Sequence, residues 1–155
     1  MLIVVMGVSG CGKTSIGQLL ASKLHLPFYD ADDYHPSSNI DKMARGIPLD
    51  DQDRKPWLES LAELLKSQES VGTVLACSAL KETYRKLLQS PLKTKIFWVL
   101  LHGPKDIIGQ RLVHRTGHYM SSTLLDSQFE TLEIPEYALK VSVEHTPEEI
   151  VQEIM

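Results

Sequence analysis

Eight residues near the N-terminus, Gly7-Val8-Ser9-Gly10-Cys11-Gly12-Lys13-Thr14, satisfy G-x-x-x-x-G-K-[ST] at every fixed position. They lie between an unbroken apolar run, Leu2 to Met6, and a segment of helical period in which Ile16, Leu19, Leu20 and Leu24 share one face. An apolar run without alternation is the pattern of a central parallel strand covered on both faces. Strand, glycine-rich turn and helix in that order form a unit that needs further parallel strands to bury it.

The residue types in the loop have a common purpose. Glycines let backbone N–H groups turn inward on phosphate oxygens, and the following helix N-terminus adds partial positive charge. Lys13 reaches the β- and γ-phosphates and Thr14 ligates Mg²⁺, so a nucleoside triphosphate, most often ATP, is the expected ligand. The expected nucleotide contacts are Gly7, Ser9, Gly10, Cys11, Gly12, Lys13, Thr14 and Ser15, with Cys11 a spacer at a variable position.

Thr73 to Cys77 and Lys95 to Leu101 repeat the strand pattern, and Leu139 to Glu144 reads as the last strand, with Pro147 opening a terminal helix. Leu58, Leu61, Leu64 and Leu65 share a helix face, as do Ile107, Ile108 and Leu112. This alternation predicts an α/β fold with helices on a parallel sheet and ligands at the carboxyl ends of the strands. At 155 residues, without repeats or linkers, the chain reads as one domain, residues 1–155; Asp30 to Pro56 is its longest stretch without clear pattern.

Sixteen Lys and Arg against twenty Asp and Glu exclude a broad basic surface for nucleic acid. No apolar run approaches the ~20 residues of a membrane span, and Leu2 to Met6 is too short for a secretory signal, so the expected address is the cytoplasm. Cys11 and Cys77 read as free thiols.

The rest of the chain narrows the kind of nucleotide protein. No Asn-Lys-x-Asp segment is present to read guanine, and Asp106-Ile107-Ile108-Gly109 falls at the start of a helical pattern. Val74-Leu75-Ala76-Cys77 runs into Ser78 and not into a Walker B acid. The acids stand instead in Phe28-Tyr29-Asp30-Ala31-Asp32-Asp33, where an extended backbone would put Asp30 and Asp32 on one side, beside the phosphates. One carboxylate can hold the Mg²⁺ shell while the other takes a proton from an acceptor hydroxyl. His114 and His118 have metal-like spacing but no third ligand.

His35-Pro36-x-x-Asn39-x-x-Lys42-Met43, Pro48-Leu49-x-Asp51-x-Asp53-Arg54-x-Pro56-Trp57 and Cys77-Ser78-Ala79-Leu80-Lys81-x-x-Tyr84-Arg85 resemble the gluconokinase family. So do Arg115-x-Gly117-His118-Tyr119 and Ser127-Gln128-Phe129-Glu130-Thr131-Leu132-Glu133-x-Pro135. The resemblance implies a three-layer P-loop kinase fold like that of shikimate kinases: a five-stranded parallel sheet flanked by helices, a helical substrate-binding region at about 31–57 and a mobile lid at about 115–123. It also implies transfer of the ATP γ-phosphoryl group to the 6-hydroxyl of D-gluconate, feeding the pentose phosphate pathway, and a homodimer. A kinase of another small hydroxy acid such as shikimate, or a non-catalytic ATP sensor, are the alternatives.

By that resemblance Asp32 is the partner of the acceptor hydroxyl and Asp30 the Mg²⁺ acid with Thr14. Among the substrate-binding candidates His35, Asn39, Lys42 and Arg54, Arg54 best suits a carboxylate, against the alternative of a salt bridge with Asp51 or Asp53. Ser78, just past a strand end, is placed for sugar hydroxyls or the γ-phosphate; Lys81 and Arg85 suit a solvated helix face equally well. Arg111 and Arg115, four apart and followed by Gly117, suit a lid whose arginines neutralise transferring phosphate, making them catalytic with Lys13 and Asp32. His118 and Gln128 complete the substrate set through the resemblance, and adenine is expected around His145-Thr146-Pro147.

Overall fold

The run Leu2–Met6 forms strand β1, fully buried, and its side chains divide between two cores. Leu2, Val4 and Met6 enter one cluster, Ile3 and Val5 the other. A strand that must be apolar on both faces has nowhere to place a polar residue, which explains the missing alternation.

The computed structural model describes residues 1–113 and 122–155. After β1 come α1 (Lys13–Leu24), β2 (Phe28–Asp30), a 3₁₀ turn (Ala31–Tyr34), α2 (Ser37–Ala44), α3 (Asp51–Ser67) and β3 (Thr73–Ala76). Then follow α4 (Glu82–Gln89), β4 (Ile96–His102), α5 (Lys105–Val113), α6 (Ser122–Thr131), β5 (Leu139–Ser142) and α7 (Pro147–Ile154). The described strands form one five-stranded sheet in the order β2-β3-β1-β4-β5, every pair parallel. The three strands whose ends carry the chemistry, β2, β3 and β1, are therefore neighbours.

Helices α3 and α4 cover one face through Trp57, Leu58, Leu61, Leu65, Tyr84 and Leu88. The other face is covered by Ile16 and Leu20 of α1, Ile108 of α5, Leu125 of α6, and Ile150 and Val151 of α7. Thr146 and Glu149 form a capping box at α7, with Pro147 in the first turn.

Two expectations needed revision. The stretch Asp30 to Pro56 is not patternless: it holds the 3₁₀ turn, α2 and the first turn of α3, which starts at a reciprocal box between Asp50 and Asp53. Asp at the third helical position replaces the usual Glu or Gln, and Pro56 inside the helix masks it further. Arg85 is not on a solvated face. It is 2% exposed, and its guanidinium donates to the carbonyls of Ala79 and Glu133, each at 2.7 Å, and to the Tyr137 hydroxyl at 2.9 Å.

Candidate active site

Gly7, Gly10 and Gly12 all take positive φ, at 146°, 81° and 96°, folding the loop after β1 back on itself. Gly7 has a second constraint: a Cβ there would stand 2.7 Å from the Leu101 carbonyl oxygen and 2.8 Å from Cys11 Sγ. Gly12 caps α1 without any side-chain bond, and no acid stands in the first turn, so the helix N-terminus presents N–H groups and partial positive charge. Lys13 curls over the loop with its ammonium 3.0 Å from the Val8 carbonyl. Cys11, within the loop, is buried.

Asp30 ends β2, and its Oδ2 accepts the Thr14 hydroxyl at 2.7 Å. A threonine hydroxyl against a carboxylate oxygen is a hard-oxygen pair of the kind Mg²⁺ prefers when phosphates and water supply its remaining ligands. Among the described residues no group of three His, Cys, Asp or Glu forms an all-protein metal cage. The backbone does not stay extended to Asp32, as the Asp-x-Asp reading required. The chain turns at once into the 3₁₀ segment, and the Asp32 N–H donates to Asp30 Oδ1 at 3.0 Å. Asp30 thus caps the turn that carries Asp32, and the two acids still meet in one cleft.

That cleft has a cavity volume of about 290 Å³ at the carboxyl ends of β1, β2 and β3. It brings together Ser9, Gly10, Gly12, Lys13, Thr14, Asp30, Asp32, His35, Arg54, Ser78 and Gln128 from the expected set. Gly7, Cys11, Ser15, Asn39, Lys42 and Arg111 do not line it. Arg115 and His118 lie outside the described residues, as does most of the expected lid; residues 122 and 123 open α6.

Sequence reading missed Trp57, Tyr84 and the apolar wall of Met43, Ile47, Pro48 and Leu49. Trp57 lines the cleft, donates its indole N–H to the Ala31 carbonyl at 2.7 Å, and stacks on His35 with ring centroids 4.2 Å apart. Tyr84 fixes Arg54: the guanidinium donates to the Tyr84 hydroxyl at 3.1 Å and to the Leu49 carbonyl at 2.7 Å. The Tyr84 hydroxyl in turn donates to Asp51 Oδ1, which also pairs with Lys81 at 3.2 Å. Asp53 is taken by Lys42 at 2.9 Å, so the carboxylates weighed as partners for Arg54 bind other cations. The presence of Pro56-Trp57 and Tyr84 inside the family-like blocks was the available signal.

The electrostatics divide the cleft into roles. Burial first, and the Arg54 charge second, lower the His35 pKa to about 4, so the ring is neutral at ordinary pH. Burial pushes the Cys77 thiol up to about 12, which removes it as a nucleophile although it lines the cleft. The Tyr84 hydroxyl, ahead of Lys81, holds Asp51 below the usual carboxylate range.

Gln128 on α6 accepts the Ser9 N–H at 2.7 Å through Oε1, tying that helix to the phosphate loop. Ser78 follows β3, and its carbonyl accepts the Gly7 N–H at 3.3 Å. Ala79 then takes φ +42°, and the turn is held from below by Arg85. Arg111 donates to the Val143 carbonyl at 2.6 Å, at the end of β5 and close to the loop where adenine was expected.

Comparison with known proteins agrees with this geometry. The model of the family described as shikimate kinase matches residues 9–155. A "Probable gluconokinase" of Xenopus tropicalis is 46% identical over 173 residues, covering 99% of this chain and 91% of the relative; one of Mus musculus is 47% identical over 175, covering 99% and 95%. The crystal structure of a gluconokinase from Sinorhizobium meliloti 1021 superposes with a TM-score of 0.90 at 46% identity, covering 98% of this chain and 87% of that one. With the glycine-rich loop, the acid pair and Arg54 in one cleft, the chain belongs to the gluconokinases of the shikimate kinase family.

Proposed function

We propose that this chain transfers the γ-phosphoryl group of ATP to the 6-hydroxyl of D-gluconate. The observation that carries the reading is that one cavity collects Lys13, Thr14, Asp30 and Asp32 with Arg54, His35, Ser78 and Gln128. A polyol carboxylate needs a cationic fork for its carboxylate and several neutral hydrogen-bonding groups for its hydroxyls, and the cleft offers both.

In the mechanism, the loop amides and Lys13 hold the β- and γ-phosphates and stabilise charge on the transferring group. Thr14 and Asp30 would hold Mg²⁺, which when bound neutralises charge on the phosphate oxygens. Asp32 accepts the proton of the acceptor hydroxyl as that oxygen forms its bond to the γ-phosphorus; the bond to the β,γ-bridging oxygen breaks and ADP leaves. Arg54, pre-set by Tyr84 and Leu49, receives the gluconate carboxylate, while His35, Ser78 and Gln128 receive hydroxyls. Arg111, beside Val143, borders the adenine position, and Arg115 and His118 act from the lid. Asn39 and Lys42 act by bracing this wall, since neither lines the cleft. A cytoplasmic location and a homodimeric assembly belong to the same reading.

The test is ADP release by purified protein with Mg²⁺-ATP against gluconate, shikimate, other sugar acids, nucleoside monophosphates and no acceptor. Turnover confined to gluconate is the expected result. Turnover with another acceptor alone overturns the substrate, and none at all overturns the kinase.

A further inference from the structure

We infer that Asn39 is a positioning residue that fixes His35 as its Nε2–H tautomer, so that the ring offers the cleft a neutral hydrogen-bond donor for an acceptor oxygen. A backbone carbonyl sets the orientation of the Asn39 amide. The oxygen of Asp53 can only accept, and an Asn39 side-chain atom lies 2.8 Å from it, so that atom is the amide nitrogen. The same nitrogen stands 3.2 Å from His35 Nδ1. An amide nitrogen has no lone pair to offer, so its second hydrogen points to Nδ1 and Nδ1 must accept. A neutral imidazole that accepts at Nδ1 carries its proton at Nε2.

The surroundings make this orientation rigid. Asn39 is 1% exposed on α2. Its acceptor, the Asp53 carbonyl, sits in the first turn of α3, where the Asp50–Asp53 box and the Lys42 ion pair immobilise the residue. The imidazole plane is set by Trp57, whose ring lies 12° from parallel, and Trp57 is anchored to the Ala31 carbonyl. Burial and the Arg54 guanidinium both oppose a second proton on the ring.

The consequence is chemical selectivity. Asp30 and Asp32 accept, Lys13 and Arg54 donate as cations, and His35 adds a donor without charge. Such a donor suits a hydroxyl or carboxylate oxygen and rejects an ammonium group at the same place, as in an amino-sugar acid. This deepens the proposed function and rests on it for the identity of the ligand, but the tautomer itself can be read with no ligand present.

The experiment is long-range ¹H–¹⁵N NMR on the full chain with ¹⁵N-labelled histidine at neutral pH, with His35→Gln identifying the His35 signals. The expected pattern is a bare Nδ1 and a protonated Nε2; an Nδ1–H ring or a doubly protonated ring overturns the inference whatever the substrate proves to be. In Asn39→Asp the new carboxylate can only accept a hydrogen bond from the ring, so Nδ1 should carry the N–H and the KM for gluconate should rise roughly tenfold, with the KM for ATP little changed. Nδ1 protonated with an unchanged gluconate KM overturns the positioning role. If the variant does not fold, the wild-type tautomer alone decides. If wild-type protein shows the expected tautomer but does not turn over gluconate, the proposed substrate has failed and the tautomer assignment has not.

Discussion

Acid should destabilise this protein through His35, and the size of the effect can be worked from its environment. The folded ring has a pKa of about 4 against an ordinary value of 6.5, because burial and Arg54 disfavour the imidazolium. Between those values the unfolded chain binds a proton that the folded chain refuses, so stability rises with pH across that window. The contribution is complete above 6.5, declines as pH falls, and is gone by about 4, where the folded ring also protonates. At about 1.4 kcal/mol per pH unit the ceiling is about 3 kcal/mol. His35 is only half-buried, so screening by solvent reduces this to about 1–2 kcal/mol. The neighbouring charges do not reverse the sign: Arg54 is cationic throughout the window, and Asp53 is held by Lys42. The assay is urea unfolding followed by the fluorescence of Trp57 and Trp98 at a series of pH values from 7 to 4, for wild type and His35→Gln. The two proteins differ only at this side chain, so the difference isolates the ring. Wild type should lose about 1–2 kcal/mol more than the variant between pH 7 and 4. Parallel curves would refute the reasoning.

Three further perturbations test other parts of the structure. Lys13→Ala should abolish turnover, whereas Asp32→Asn should retain ATP binding in calorimetry and lower kcat by roughly 10²-fold, the scale of a general base; unchanged turnover in the latter removes Asp32 from the mechanism. Arg85→Met leaves the Ala79 and Glu133 carbonyls without their donor, a loss of about 3 kcal/mol in urea unfolding. Because those carbonyls anchor the turn after Ser78, the gluconate KM should rise as well, and an unaltered stability would show that the buried network is dispensable. Gly7→Ala forces a Cβ against the Leu101 carbonyl and Cys11 Sγ at positive φ. It should cost about 2 kcal/mol or more and weaken ATP binding, both read by thermal unfolding with and without nucleotide.

The parts of this protein legible in its sequence are those in which neighbours along the chain decide the outcome. Leu2–Met6 reads as a doubly covered strand, the following glycines as a tight turn with positive φ, and Pro147 as the opening of a helix, and each is found so. Hydrophobic period and turn chemistry act over a few residues, so sequence order and spatial order coincide there. Side-chain roles in the cleft are set across much longer separations. Asn39 and Lys42 suggested ligands by type, yet Asp53, 14 and 11 residues away, takes both of them. Arg85 suggested a surface cation until Glu133 and Tyr137, 48 and 52 residues away, closed over it. Asp32 joined Asp30 not through an extended strand but through a 3₁₀ turn capped by Asp30 itself. The sequence by itself determined the strand–loop–helix unit of Leu2 to Leu24, because its three parts are contiguous. Only the tertiary structure decided the tautomer of His35, the orientation of Arg54 and the burial of Arg85, because the energy of a polar group depends on the partners that packing brings to it.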